Sequence, residues 1–321
     1  MSLRVYTPFV FQGNLKNRNY FEGWYFKHVS GDQQNTWSFI PGVSLNRNDP
    51  HAFIQIIDGI KGVTEYVRYP LSEFNFDYKN VCLRVGKSFF SEKSVSLNIV
   101  NETIIVTGEI QYHNSVKYPK SFIYPGIMGW YSFVPFMECK HGIISVDHRL
   151  TGVLSINGRL LDFDNGKGYI EKDWGTSFPE AWIWMQSNNF STSPNTSFSF
   201  SIAKIPWMGK FFIGFISFLY YDNKIFLFST YNKSVVTKIK HSEDTIDFEV
   251  SNRNVILKVS THKSTFGELI APVSGDMSRR IKESIDSEIT LSLYDKKGKL
   301  IYNDTGKRAG LEVIDKIFEY L

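Results

Sequence analysis

The sequence predicts an all-β protein built from two related halves. Three observations carry this: apolar and polar residues alternate along much of the chain, aromatic residues are abundant, and three segments recur in the same order in each half. At 321 residues the chain is long for one β domain and comfortable for two. Its 27 Phe and 17 Tyr suit strands and also the walls of an apolar cavity.

The strands are read from alternation and turn chemistry. Residues 96–100 (SLNIV) and 103–107 (TIIVT) form the arms of a hairpin around Asn101-Glu102. Residues 255–259 (VILKV) come after the polar turn 251–254 in the same way. Asn157-Gly158 is the strongest short hairpin signal in the chain. The run 211–221, FFIGFISFLYY, is apolar on both faces, so it either fills core or lines an apolar pocket as well. Two stretches have helical spacing: 277–287, through Met277, Ile281 and Ile285, and 311–321, through Leu311, Ile314, Ile317, Phe318 and Leu321.

The repeat pairs Glu22-Gly23-Trp24-Tyr25-Phe26 with Glu180-Ala181-Trp182-Ile183-Trp184. It then pairs residues 52–57 with 211–216, and Gly158-Arg159-Leu160-Leu161 with Gly298-Lys299-Leu300-Ile301. Asp164, Gly166 and Lys167 match Asp304, Gly306 and Lys307. The shorter spacing of the last matches places extra residues in the first half, most evidently at 123–143. The halves are expected at 1–171 and 172–321.

Composition narrows the function. The net charge of +4, from 36 basic and 32 acidic residues spread along the chain, is too mild for a nucleic-acid partner. A weak attraction to anionic membrane surfaces stays open. Cys82 and Cys139 form no Cys-x-x-Cys pair and read as buried free thiols. No Gly-rich phosphate loop and no His pair at helical spacing is present, so no cofactor and no metal is expected. The first twenty residues do not read as a signal peptide, and the longest apolar run is too short for a spanning helix. The expectation is a cytoplasmic protein with at most peripheral membrane contact.

Two stretches are distinctive. One is NRNYFEGWYFK (17–27), succeeded by Ile40-Pro41-Gly42. The other is GYIEKDWGTSFPEAWIWMQSN (168–188), preceded by PGIMG (125–129), VPFME (134–138) and Asp147-His148. Together they resemble the tocopherol cyclase family, with weaker similarity through IAKIPW (202–207), Tyr231 and Gly310-Leu311-Glu312. The resemblance covers nearly the whole chain, and GYIEKDWG is its most specific part. It implies two lipocalin-like β-barrel halves and cyclisation of a prenylated, phytyl-type hydroquinone to a chromanol. The absence of the transit peptide that plant members carry, with the short Asn- and Lys-rich sequence, suggests a bacterial member.

Such a cyclisation is redox-neutral. A proton adds to a trisubstituted alkene, a tertiary carbocation forms, and the phenolic oxygen closes the ring. The protein must supply an acid in an apolar pocket, π faces for the cation, and exclusion of water. Asp173 is the first candidate acid, with Glu171 or the Asp147-His148 pair orienting it; alternatively Asp173 bonds turn amides near Gly175. Glu138, set among Phe136, Met137 and Cys139, is a second candidate. Glu22, at the position matched to Glu180, either meets substrate or closes a barrel end through backbone hydrogen bonds. Trp24, Tyr25, Trp174, Trp182 and Trp184 are core or cation-stabilising walls. Gln186 and Asn188 hold the quinol hydroxyls or face solvent. His28 and His141 read as structural, and the insertion 123–143 as a hydrophobic lid or an interdomain plug. The junction of the halves, straddled by 171–188, is the expected place of the active cavity.

Three functions compete on this reading. The first is a proton-initiated cyclase, or a hydratase in which water captures the cation. The second is a non-catalytic carrier of a long-chain lipid, quinone or isoprenoid. The third is a fold that has lost its site.

Overall fold

The computed structural model describes residues 3–321. Strands dominate it, and the helices are short 3-10 turns at Leu3–Tyr6, Leu71–Glu73, Gly129–Phe133, Thr230–Asn232 and Asp315–Glu319. The first half contains β1 (Phe21–Val29), β2 (Thr36–Ser44), β3 (His51–Asp58), β4 (Val63–Pro70), β5 (Phe74–Asp77) and β6 (Cys82–Val85). It continues with β7 (Ser88–Ser91), β8 (Ser94–Val100), β9 (Ile105–Val116), β10 (Cys139–Ile156), β11 (Arg159–Asp162) and β12 (Lys167–Gly175). The second half contains β13 (Trp182–Ser187), β14 (Asn189–Phe190), β15 (Ser197–Trp207), β16 (Lys210–Tyr221), β17 (Lys224–Ser229) and β18 (Val235–His241). It ends with β19 (Thr245–Ser251), β20 (Val255–His262), β21 (Gly267–Val273), β22 (Asp276–Asp295) and β23 (Leu300–Val313).

Two antiparallel sheets result. The first runs β4-β3-β2-β1-β12-β10-β9-β8-β7-β6-β5, and the second β17-β16-β15-β13-β23-β22-β20-β19-β18. Read from β4 and from β17, nine strands match position by position, as a duplicated unit requires. The edge strands of each sheet are consecutive in the chain, joined through a 3-10 turn. In the first sheet, inward residues from both edges, Val67 and Phe74, join a single core with Trp24, Phe26, Phe39, Ile54 and Ile170, so the sheet curls nearly closed. The second core is gathered around Ile183, Met185, Phe200, Phe215, Leu257 and Leu311.

The chain divides into two compact units. The first extends to Phe178 and includes Glu268–Ile281; the second comprises Pro179–Gly267 and Lys282–Leu321. The boundary expected at 171–172 falls inside β12, which is bonded along its length to β1 and β10. The hairpins 96–107 and 251–259 form as read. Asn157 and Gly158 turn β10 into β11 with φ of 50° and 81°, the left-handed pair of a type I′ turn. Cys82 and Cys139 are not joined in a disulfide, and both are half-buried rather than buried.

Two expectations change. Residues 277–287 are not helical; they lie in β22, with Ile281 and Ile285 buried. Spacing by four places side chains on one face of a strand as well as of a helix, and the pairing of β22 with β21 and β23 decides between them. At the C-terminus β23 holds the chain extended to Val313 through its bonds to β13. The stretch read as helical is thus divided: Leu311 lies in the sheet, and past it the chain makes the 3-10 turn Asp315–Glu319, anchored by buried Ile317. Among the described residues no helix is long and apolar enough to cross a membrane.

The repeat itself is shifted by one residue from the sequence match. Trp24 and Phe26 point into the first core, whereas Ile183 and Met185, not Trp182 and Trp184, point into the second. Trp24 therefore corresponds to Ile183 and Tyr25 to Trp184. Glu22 and Glu180 are not equivalent: Glu22 is fully buried, and Glu180 is an exposed partner of Lys204 and Lys316. A one-residue slip exchanges the two faces of a strand, and aromatic residues on adjacent positions conceal it.

Candidate active site

Strand β12 holds the GYIEKDWG motif and splits it between two faces. Ile170, Lys172 and Trp174 share the face of the first core; Tyr169, Glu171 and Asp173 share the opposite one. In the register with β10, His141 stands opposite Asp173 and Ile143 opposite Glu171. In the register with β1, Gly23 stands opposite Asp173 and Tyr25 opposite Glu171.

A chain of ionisable groups results. The Tyr169 hydroxyl donates to Glu171 Oε2 at 2.6 Å. Glu171 Oε2 lies 3.5 Å from His141 Nε2. His141 Nδ1 lies 2.9 Å from Asp173 Oδ1. Tyr169 and Glu171 are buried, while the Asp173 side chain remains 26% exposed, so the outer end of the chain is the one a small molecule can reach. A Cβ at Gly23 would meet only Ile40 Cγ2, at 3.7 Å, which leaves room beside Asp173 on that side. An imidazole held between two carboxylates can store a proton and pass it along the chain. Among the described residues no backbone amide bonds the Asp173 carboxylate, so it does not cap the turn at Gly175.

The insertion between β9 and β10 packs against this site. Met128 Sδ accepts the His141 backbone N–H at 3.1 Å, and Lys140 Nζ donates to Ser132 O at 3.0 Å. Ile127, Met128 and Val134 are buried, whereas Phe122 and Phe136 stand in solvent. Glu138 contributes its backbone carbonyl, which accepts the N–H groups of Thr176 and Ser177.

The inner face of β12 has a different task. Lys172 is fully buried, ion-paired with buried Glu22, and donates to the carbonyls of Pro8 and Val10. Burial pulls its pKa down to about 8, with Glu22 opposing. Its ammonium lies 4.5 Å from the Trp24 ring centroid and 5.0 Å from that of Trp174. These two rings already face a protein cation, and Trp24 Nε1 is bound to Phe9 O at 2.7 Å. Glu22 also accepts the N–H groups of Gln12 and Gly13 and the Tyr20 hydroxyl. It thus ties the N-terminal segment, with Phe9 and Phe11 in the core, across one end of the barrel.

Asp147 and His148 do not join Asp173. Asp147 lies 3.8 Å from Lys167. His148 is buried inside the barrel, where Nδ1 meets Ser145 Oγ at 2.9 Å and the ring packs on Tyr112. It occupies the space a side chain at Gly168 would need. His28 Nε2 meets the Tyr112 hydroxyl at 2.7 Å in the same interior. Burial lowers His28 to about 3 and His148 well below the usual histidine range.

In the second half, Trp182, Trp184 and Gln186 lie on the β13 face opposite Ile183 and Met185, all buried. Trp182 Nε1 donates to Glu312 Oε2 at 2.7 Å. Glu312 stands opposite Trp184 on β13 and Glu283 on β22. The pair Trp184–Glu312 thus occupies the place that Tyr25–Glu171 holds in the first half. Gln186 and Asn188 are buried rather than solvent-facing, and Asn188 Oδ1 accepts from Asn189 Nδ2 at 3.1 Å.

The residue that sequence reasoning missed is His141. It lies 32 residues before Asp173, and only the β10–β12 pairing joins them. His141, Glu171 and Asp173 also offer ligand atoms within 4.8 Å of one another, a set able to receive a divalent cation.

The family model described as tocopherol cyclase-like matches residues 106–314, a span that includes β10, β12 and all of the second sheet. The chain belongs to this family. Similar curated proteins are a probable chloroplastic tocopherol cyclase of Oryza sativa subsp. japonica, 26% identical over 201 residues, and the chloroplastic tocopherol cyclase of Zea mays, 25% identical over 197 residues. Each alignment covers 58% of this chain and 41% of the plant protein, so the match spans less than half of those relatives. Among solved structures, CghA is similar with a TM-score of 0.58 at 11% identity, over 92% of this chain and 88% of that one. Kievitone hydratase from Nectria haematococca is similar with a TM-score of 0.52 at 11% identity, over 91% and 88%. At such identity these likenesses establish the fold, two lipocalin-like antiparallel β halves.

Proposed function

We propose that this tocopherol cyclase-like protein is an enzyme that cyclises a prenylated hydroquinone to a chromanol by proton transfer. The observation that carries the reading is the Tyr169–Glu171–His141–Asp173 chain, whose half-open end is an acid in contact with an imidazole. Asp173, protonated, gives its proton to the less substituted carbon of the alkene. The cation develops on the tertiary carbon, and the phenolic oxygen attacks it. The phenolic proton then returns to Asp173, directly or through His141, so the reaction is a net isomerisation. Tyr25, opposite Glu171 on the same face, is an aromatic candidate to border the cation.

The test is incubation with a phytylated hydroquinone, then extraction and comparison with a chromanol standard. Chromanol above the protein-free control supports the reading. A tertiary alcohol would assign hydratase chemistry instead, and unchanged quinol retained on the protein would assign a carrier.

A further inference from the structure

The two ends of the first barrel are built differently. The N-terminal segment and the Glu22–Lys172 pair close one end. The opposite end opens into a cleft of about 330 Å3, within the range of small-molecule sites (~300–1,000 Å3). Its floor is apolar: Trp37, Ile56, Ile104, Ile156 and Leu161, each buried. Its rim adds exposed Ile60 and Val63, and two cations, Lys61 and Arg159.

The walls are set in advance by turn chemistry. Asp58 Oδ1 accepts the N–H groups of Ile60 and Lys61, fixing the β3–β4 turn. Asn157 joins two hairpin tips: its Oδ1 accepts from Ile105 N at 2.7 Å, and its N–H donates to Ile105 O at 2.8 Å. Among the described residues neither the Lys61 ammonium nor the Arg159 guanidinium has an ion-pair partner, and the Trp37 indole N–H has no acceptor. Asp58 is engaged by its turn, which leaves Glu65 as the one lining acid without such a bond.

We propose that this cleft is a second ligand site, for a single-chain amphiphile with an anionic head. The chain lies on the five floor residues, where burying each methylene stabilises the complex. The head meets Lys61 and Arg159, whose charges the fold leaves without a partner. This site is separate from the Asp173 chain and does not depend on the cyclase reading.

Isothermal titration of the full chain with decanoate, decanol and decyltrimethylammonium tests it. Saturable one-to-one binding of decanoate, at least tenfold tighter than decanol and without binding of the cation, is the expected result. Arg159→Glu, an exposed change, weakens decanoate about tenfold and leaves decanol unaffected. Ile104→Trp fills the floor and removes binding of both; unchanged thermal unfolding confirms that it folds. Equal binding of decanoate and decanol would overturn the anionic head. Absence of binding by all three, or decanoate binding that survives both variants, would overturn the site.

Discussion

The two halves share nine strands in one order, yet ionisable groups are distributed unequally between them. Among the described residues, every buried Lys and His belongs to the first half: Lys27, Lys167, Lys172, His28, His51 and His148. In the second half the position of Lys172, opposite Trp24 on β1, is taken by Val313, opposite Ile183 on β13. The position of Glu22 is taken by buried Ala181. The position of Asp173, next after Lys172, is taken by Ile314, next after Val313. The second half thus shows that this strand order forms with apolar residues at these three positions. The charged residues of the first half are not requirements of the fold, and buried charges are costly to keep. Their presence marks the half where proton chemistry is expected.

The largest expected effect comes from removing the candidate acid, which the second half lacks. Asp173→Asn should lower chromanol formation by about 10²–10⁴-fold with thermal unfolding nearly unchanged. Full activity in that variant would remove Asp173 from the mechanism. A comparable loss on chelation, reversed by added divalent cation, would instead assign the His141–Glu171–Asp173 set to metal binding.

The buried pair gives the next effect. Lys172→Val alone leaves the Glu22 carboxylate buried without its cation, and should destabilise the protein by about 3–5 kcal/mol in denaturant titration. Adding Glu22→Ala, which recreates the Val313 and Ala181 arrangement, should recover a large part of that loss. Failure of the double variant to recover would mean that tying the N-terminal segment through Gln12 and Gly13 matters more than the charge pair.

Acid sensitivity arises from His28 and His148. Their folded pKa values are depressed below the unfolded value of ~6.5, so between the two the unfolded chain binds more protons. Stability is therefore full above about pH 6.5 and falls as pH drops toward 3. Each imidazole contributes up to about 1.4 kcal/mol per pH unit. His28→Phe should flatten the slope of stability against pH by about one proton. An unchanged slope would place the titration elsewhere. The smallest effect is expected at the residue that sequence alone matched to Glu22. Glu180→Ala removes two ion pairs of an exposed carboxylate and should leave thermal unfolding unchanged within error, whereas a loss like that of Lys172→Val would contradict the shifted repeat.

Much of the fold was legible because its signals are local. Alternation at 96–107 and the Asn157-Gly158 turn depend on neighbours a few residues apart, where strand period and turn chemistry act, and the repeat is read by comparing such short segments in order. The site was legible in part: Asp173 and Glu171 stand in the GYIEKDWG motif, but the histidine expected to orient Asp173 was His148, of the Asp147-His148 pair, and not His141. That residue turns into the barrel, because β10 alternates and passes through register irregularities against β12. The four-residue spacing of Met277, Ile281 and Ile285 fits strand and helix alike, so it carried no decision.

The sequence by itself determined the all-β class, the duplication, the hairpins and the family. Only the tertiary structure decided which face of each strand is buried, and so separated Trp24 from Trp182 and Glu22 from Glu180. It alone brought His141 to Asp173. The physical reason is that strand phase and partner are set by hydrogen-bonded register between distant segments, where a shift of one residue reverses every side chain and leaves the alternation intact.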